Sequence, residues 1–263
     1  SLRKSSMNKH SISIKKRIAN GETLYGIFCS VASPINVEQM ALAGYDFMII
    51  DLEHTLFTTS QVETMILAAK ASNLDVFVRV PLNANHLILP LLDAGVTGIV
   101  FPRIENAQQA QEAVNYCHYM PLGQRGLNST RLNRYGIDDL ASFVQQAANE
   151  TIVVAMIESL KGLEQLDEIL KVEGIDIILE GAADLSQSMG IPWETSHPQV
   201  KEKVQEIYAK TKNSNKHFCA IPRKPEDITA WKQQFVQLFV LGDDRSIIRK
   251  AHQNHINAFK QSL

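Results

Sequence analysis

The chain has 263 residues, of which 45% are hydrophobic, 21% charged and 7% aromatic, and its formal net charge is −2. That length buries one large core and suits a single α/β barrel better than two ordinary domains. The near-neutral balance gives no basic field for nucleic acid or an anionic membrane, and no apolar run approaches the roughly 20 residues that span a bilayer.

In chain order, the first stretch is polar and basic through Arg17, with no apolar segment of the kind a secretory signal needs. Residues 1–6 precede Met7, the expected start. They are read as an appended remnant outside the fold, which leaves 7–263 as one domain. A first strand is expected over 24–30, followed by a helix opening at Ser33-Pro34, where proline at the first helical position gives up an N–H that would be unpaired anyway. The run Phe47-Met48-Ile49-Ile50 predicts a second strand over 47–51. Ser60 with Glu63 reads as a capping box, opening a helix that places Val62, Met65, Ile66 and Ala69 on one face. Strands at 76–80 and 97–101 come next. After a long loop over 119–137 an extra helix is expected at 138–148. Further strands are expected at 152–157, 175–180, 217–221 and 238–242, with a helical stripe of Leu160, Leu163, Leu166 and Leu170 after the fifth. The strands are nearly continuously apolar, as strands covered on both faces should be. Eight of them alternating with helices predict a single-domain (β/α)8 TIM barrel, with an open doubly wound sheet as the alternative. Cys29, Cys117 and Cys219 are odd in number and far apart. They fit neither a disulfide framework nor a zinc site, and suit a reducing, cytoplasmic setting.

In barrels of this kind the chemistry sits at the C-terminal ends of the strands. Asp51, Glu53 and His54 end the second strand, Arg79 the third and Glu158 the fifth; Arg103 follows the fourth, and Glu180 and Asp184 close the sixth. Any one of these acids is equally a helix cap, but together they define a candidate rim. Histidine as a residue type suits proton transfer at physiological pH, so His54 is a candidate to accept and return a proton, or it is a surface turn residue. Arg79, in an otherwise apolar strand, needs an anion: a substrate carboxylate held by both guanidinium arms, or a structural partner such as Glu53 or Glu158. Glu158 and Asp184 lie on neighbouring strands. They can share a hard divalent cation such as Mg2+, or do acid–base work without one. The small loop around Ala182 and Ala183 can bring backbone N–H groups to a substrate oxygen. Arg131 and Arg134, in the loop after Gly123-Gln124-Arg125-Gly126, give a weak anion-binding signal or are simply solvated. His10, His118, His252 and His255 read as structural or surface residues.

The segments from Tyr45-Asp46-Phe47 through Asp51-Leu52-Glu53-His54, Val78-Arg79-Val80-Pro81, Leu91-Leu92-Asp93-Ala94-Gly95, Pro121 through Gly126, Met156-Ile157-Glu158 and Ala183-Asp184-Leu185-Ser186 resemble, in this order, the HpcH/HpaI aldolases. The resemblance spans nearly the whole chain. It implies a class II pyruvate aldolase barrel that forms a homo-oligomer, hexameric or dimer-based, with exchanged C-terminal helices. It further implies His54 as base, Arg79 on the 2-oxo acid and Glu158 and Asp184 on a metal, Mg2+ or Ca2+. Glu53 would hold a metal-bound water, and Asp93 would reach His54 across a subunit interface. Three departures stand out. Met156 replaces the usual Gln; Glu180-Gly181-Ala182-Ala183-Asp184 adds a carboxylate beside the metal position; and residues 127–134 lack the usual small-residue run. With them the chain resembles a citrate-forming offshoot serving staphyloferrin B siderophore clusters. That implies condensation of acetyl-CoA with oxaloacetate, without a strict need for metal. The alternatives are metal-dependent cleavage of a 4-hydroxy-2-oxo acid to pyruvate and an aldehyde, or a barrel that has lost catalysis and serves as a scaffold.

Overall fold

The computed structural model describes residues 12–261, so the remnant at 1–6 and His10 lie outside it. A short helix α1 (Ile14–Ala19) leads into β1 (Leu24–Cys29) and α2 (Pro34–Ala43), then β2 (Phe47–Asp51) and α3 (Thr59–Ala71). Next come β3 (Asp75–Arg79) and α4 (Ile88–Ala94), β4 (Gly98–Phe101) and α5 (Ala107–Cys117), and the additional α6 (Leu140–Glu150). β5 (Ile152–Ile157) is followed by α7 (Leu160–Glu164) and α8 (Leu166–Ile169), and β6 (Ile177–Glu180) by α9 (Ala182–Ser188) and α10 (Pro198–Lys212). The order closes with β7 (His217–Ala220), α11 (Pro225–Gln233), β8 (Leu238–Asp243) and α12 (Asp244–Lys260). All eight strands pair in parallel in sequence order and close on themselves, the expected (β/α)8 barrel.

Alternate residues of each strand serve two cores. Phe47 and Ile49, Val154 and Met156, and Ile177 and Leu179 fill the barrel interior. Met48, Ile50, Val153, Ala155 and Ile178 pack outward against the helices. Gly26 shares the inward parity of Leu24 and Phe28, and the position takes glycine because a Cβ there would sit 2.1 Å from the Phe47 ring. α1 packs Ile14 and Ile18 against the interior residues, and its buried Arg17 bonds Asp46 at 2.6 Å and Glu22 at 3.0 Å.

The barrel is sealed where its ends meet. Leu24, Tyr25 and Gly26 pair with Leu238, Phe239 and Val240, and beyond Gly26 the register shifts. There Asp244, at the start of α12, takes over. Its carboxylate accepts from the N–H groups of Ser30 (2.8 Å) and Val31 (3.1 Å) and from the Asn36 amide (2.8 Å).

Two local expectations change. The capping box opening α3 is Thr58 with Gln61, not Ser60 with Glu63: both reciprocal bonds form from Thr58, and Ser60 lies inside the helix. Glu63 instead bonds Arg131 at 2.6 Å. The leucine stripe is divided between α7 and α8 rather than forming one helix, because Gln165 ends the first as its C-cap and begins the second. Among the described residues, no helix is long and apolar enough to cross a membrane.

Candidate active site

The inward parity of the strands decides which side chains reach the mouth. Phe28 on β1, Asp51 ending β2, Arg79 ending β3, and Met156 and Glu158 on and after β5 line one cavity of about 550 Å3 at the C-terminal end of the barrel. His54, Ala183 and Asp184 join it from the following loops and the first turn of α9. The histidine, the guanidinium and the two acids singled out in the sequence therefore share one cavity.

Arg79 is held by a residue that sequence reasoning had placed on the rim but not as its partner. Asp51 accepts from Arg79 Nε at 3.0 Å and from Nη2 at 2.8 Å, a bidentate pair that is almost wholly buried. Asp51 Oδ1 also accepts the N–H groups of Glu53 (3.1 Å) and His54 (3.4 Å), so one carboxylate fixes both the arginine and the loop carrying the histidine. Glu53 adds a second charge 3.3 Å from Nε. The guanidinium carbon lies 4.6 Å over the Phe28 ring. Burial pulls the Arg79 pKa down, but the bonds and charge of Asp51, with Glu53 and Glu158, outweigh it and hold it above the ordinary value. Among the described residues Nη1 meets only the Met156 sulfur, at 3.9 Å, a weak acceptor on the cavity wall. This arm is the one available to a ligand.

Glu158 is buried, and one of its oxygens accepts the N–H of Arg103 at 2.8 Å. Arg103 presents that N–H from a left-handed conformation (φ 48°). Burial pushes the Glu158 carboxyl up to about 7; Asp184 and Glu53 add to the rise, while the Arg103 bond and Arg79 oppose it. Gly181 makes room for it, since a Cβ at that position would lie 2.5 Å from Glu158 Cβ and 2.6 Å from Oε2. Asp184 is half-exposed, with the Arg103 guanidinium 3.9 Å away. His54 is the most open of the group, its Nε2 3.6 Å from Glu53.

Two carboxylates facing one cavity and repelling each other fit a hydrated divalent cation, which needs few protein oxygens. Among the described residues no group of three or more potential ligands gathers, so water and substrate would supply the rest of the shell.

Other expected residues lie elsewhere. Glu180 does not add a carboxylate beside Asp184. It shares parity with the outward Ile178, so it enters the layer between strands and helices, where it accepts the Ile221 N–H at 2.8 Å. Ala182 is buried facing that same layer. Asp93 bonds Arg125 at 3.1 Å within its own chain. Arg131 is paired with Glu63 and Arg134 with Asp138 (Nε to Oδ1, 2.7 Å), and among the described residues neither lines the cavity. The sequence reading passed over Ser30, Trp193, Arg223 and Arg245, all of which do. Applying the strand-end rule to β1, β7 and β8 would have flagged all but Trp193.

The protein-family description "HpcH/HpaI aldolase/citrate lyase" matches residues 24–248. A hydroxypyruvate/pyruvate aldolase of Roseobacter denitrificans is 33% identical over 202 residues, 77% of this chain and 79% of its own. A 5-keto-4-deoxy-D-glucarate aldolase of Escherichia fergusonii is 32% identical over 249 residues, covering 94% and 96%. Among solved structures, that of the citrate synthase SbnG is 40% identical, with a TM-score of 0.89, covering 95% of this chain and 98% of that one.

Proposed function

The chain belongs to the HpcH/HpaI aldolase/citrate lyase family, and from that premise we propose that it is a citrate synthase, condensing acetyl-CoA with oxaloacetate to citrate and CoA for siderophore assembly. The observation that carries the reading is Glu158: a buried carboxyl pushed up to about 7, beside a guanidinium arm with no strong acceptor among the described residues. That is what a base needs if it is to take a weakly acidic carbon-bound proton at physiological pH. The likeness to SbnG supports it, as does Met156, where the aldolases are expected to carry a polar residue.

In this mechanism Arg79 Nη1 binds a carboxylate of oxaloacetate and orients its ketone. Glu158 takes a proton from the acetyl methyl group, and the resulting enolate carbon attacks the ketone carbon. His54 delivers a proton to the alkoxide, giving citryl-CoA; water then cleaves the thioester, releasing citrate and free CoA. The Asp51 pair keeps Arg79 from rotating during these steps, and Phe28 covers one face of the guanidinium and excludes water. If a divalent cation is bound by Glu158 and Asp184, it supplies Lewis-acid polarisation of the substrate oxygens. Asp93 is assigned, through the family resemblance, to His54 of a second subunit.

A second reading is favoured by the two facing carboxylates and by the aldolases among the relatives: metal-dependent cleavage of a 4-hydroxy-2-oxo acid. Incubation with acetyl-CoA and oxaloacetate, with and without EDTA, separates the two. Citrate that persists in the chelator is the expected result. Pyruvate release from a 4-hydroxy-2-oxo acid that stops in EDTA, with no citrate formed, would replace the synthase reading by the aldolase one.

A further inference from the structure

A second cavity, of about 170 Å3, opens between the barrel wall and the helices α10 and α11. Its wall is shared with the active-site cavity, since Ile221 and Arg223 line both. Its floor holds Glu180, which is 4% exposed. Oε1 of this carboxyl accepts the Ile221 N–H, and among the described residues Oε2 has no hydrogen-bond partner although the group lines the cavity. A largely buried carboxyl is costly to keep, and at this outward-facing position an apolar residue would complete the packing without that cost. The remaining wall combines the ring of Trp231 with Lys201 on α10, Arg223 after β7 and one acid, Asp227 on α11, which accepts the Arg223 backbone N–H at 3.0 Å.

We propose that this cavity is the subsite for the pantetheine arm of the acyl-thioester substrate, with Glu180 Oε2 accepting from an amide N–H of the arm and Lys201 and Arg223 facing the nucleotide phosphates. The inference rests on the acyl-CoA reading above. The chemistry matches on three counts. The arm is a flexible chain that alternates apolar segments with amide donors, so it needs an apolar wall broken by an acceptor. It ends in phosphates, which need cations. Its thiol end must reach the acetyl-activating base, and the two cavities are neighbours that share Ile221 and Arg223 as wall residues. An aldolase acting on a short hydroxy-oxo acid has no use for such a subsite.

Glu180→Gln tests the acceptor. The glutamine retains an oxygen for the Ile221 N–H but turns an N–H toward the ligand, while Lys201→Ala removes a cation from a helix surface without disturbing the barrel. At pH 8, each variant is expected to raise the KM for acetyl-CoA about tenfold and to leave the KM for oxaloacetate unchanged. CoA binding measured directly by calorimetry should weaken in parallel. Unchanged acetyl-CoA KM and CoA affinity in both variants, with a wild type that makes citrate, would overturn the subsite while leaving the reaction intact. A wild type that neither makes citrate nor binds CoA would instead overturn the acyl-CoA reading, and the subsite with it. Equal rises in both KM values would show a general distortion of the barrel mouth and would also overturn the proposal.

Discussion

At the scale of single residues, the site is governed by who holds Arg79. Asp51→Asn removes the charge from a buried, bidentate pair, and breaking such a pair typically costs about 3–5 kcal/mol. The variant is expected to unfold at lower denaturant concentration and to bind oxaloacetate more weakly; wild-type values on both measures would mean that Glu53 alone positions the guanidinium. Glu158→Gln should lower kcat by about 10²–10⁴, the usual contribution of a general base. In the wild type, measured in EDTA, kcat/KM should rise with pH through about 7, because the base works only after losing its proton. A profile flat from pH 6 to 8 would assign the proton transfer to another group. Glu180 carries a separate signature in folding. Burial pushes its carboxyl from an ordinary 4.5 up to about 7. The folded chain thus holds this proton more tightly than the unfolded one, so the stability it brings is complete below about pH 4.5 and is lost as pH rises through 7. A shift of that size corresponds to at most about 3 kcal/mol. Glu180→Gln stays neutral throughout, so its Tm relative to wild type should improve by about 5 °C between pH 5 and pH 8. An equal difference at both pH values would show that ionising Glu180 costs nothing.

At the scale of elements, the turn from β6 into α9 sets how closely Glu158 and Asp184 approach. Gly181→Ala places a methyl group within 2.6 Å of the Glu158 carboxylate, so either that side chain or the turn must move. Turnover should fall at least tenfold while Tm changes by only a few degrees. Full activity would mean that the glutamate swings aside without losing its function. The strands themselves were legible in the sequence, since runs such as Phe47 to Ile50 are too short and too apolar for anything but buried strands. The same doubly buried character hid which face each residue takes. Ile177 and Ile178 are equally apolar yet point to opposite cores, so nothing in the local pattern showed that Glu180 turns away from the mouth. The true cap of α3 was obscured for a similar reason: Thr58, Thr59 and Ser60 can all cap a helix, and only the reciprocal bond from Gln61 selects the first. Asp51 was visible as a rim acid, but its pairing with Arg79 depends on the register of β2 against β3, which places the two side by side.

At the scale of the whole molecule, α12 leaves Ile248, Ile256 and Phe259 open to solvent along one face of a helix otherwise rich in polar residues. We expect this face to seat against a second copy, in line with the exchanged C-terminal helix that the family resemblance implies. Ile256→Asp with Phe259→Asp should then convert an oligomer to monomers by light scattering, and an assembly of unchanged mass would place the contact elsewhere. The seam between β1 and β8 bears on a different stage of the protein's life. The carboxylate that locks Ser30 in place lies 214 residues further along the chain. At about 5–20 residues per second a ribosome needs roughly 10–40 s to cover that distance. Until β8 emerges the first strand has at most one of its two neighbours, β2, and its other edge has unpaired N–H and C=O groups. A pause in translation shortly before the eighth strand would therefore prolong the exposure of that edge.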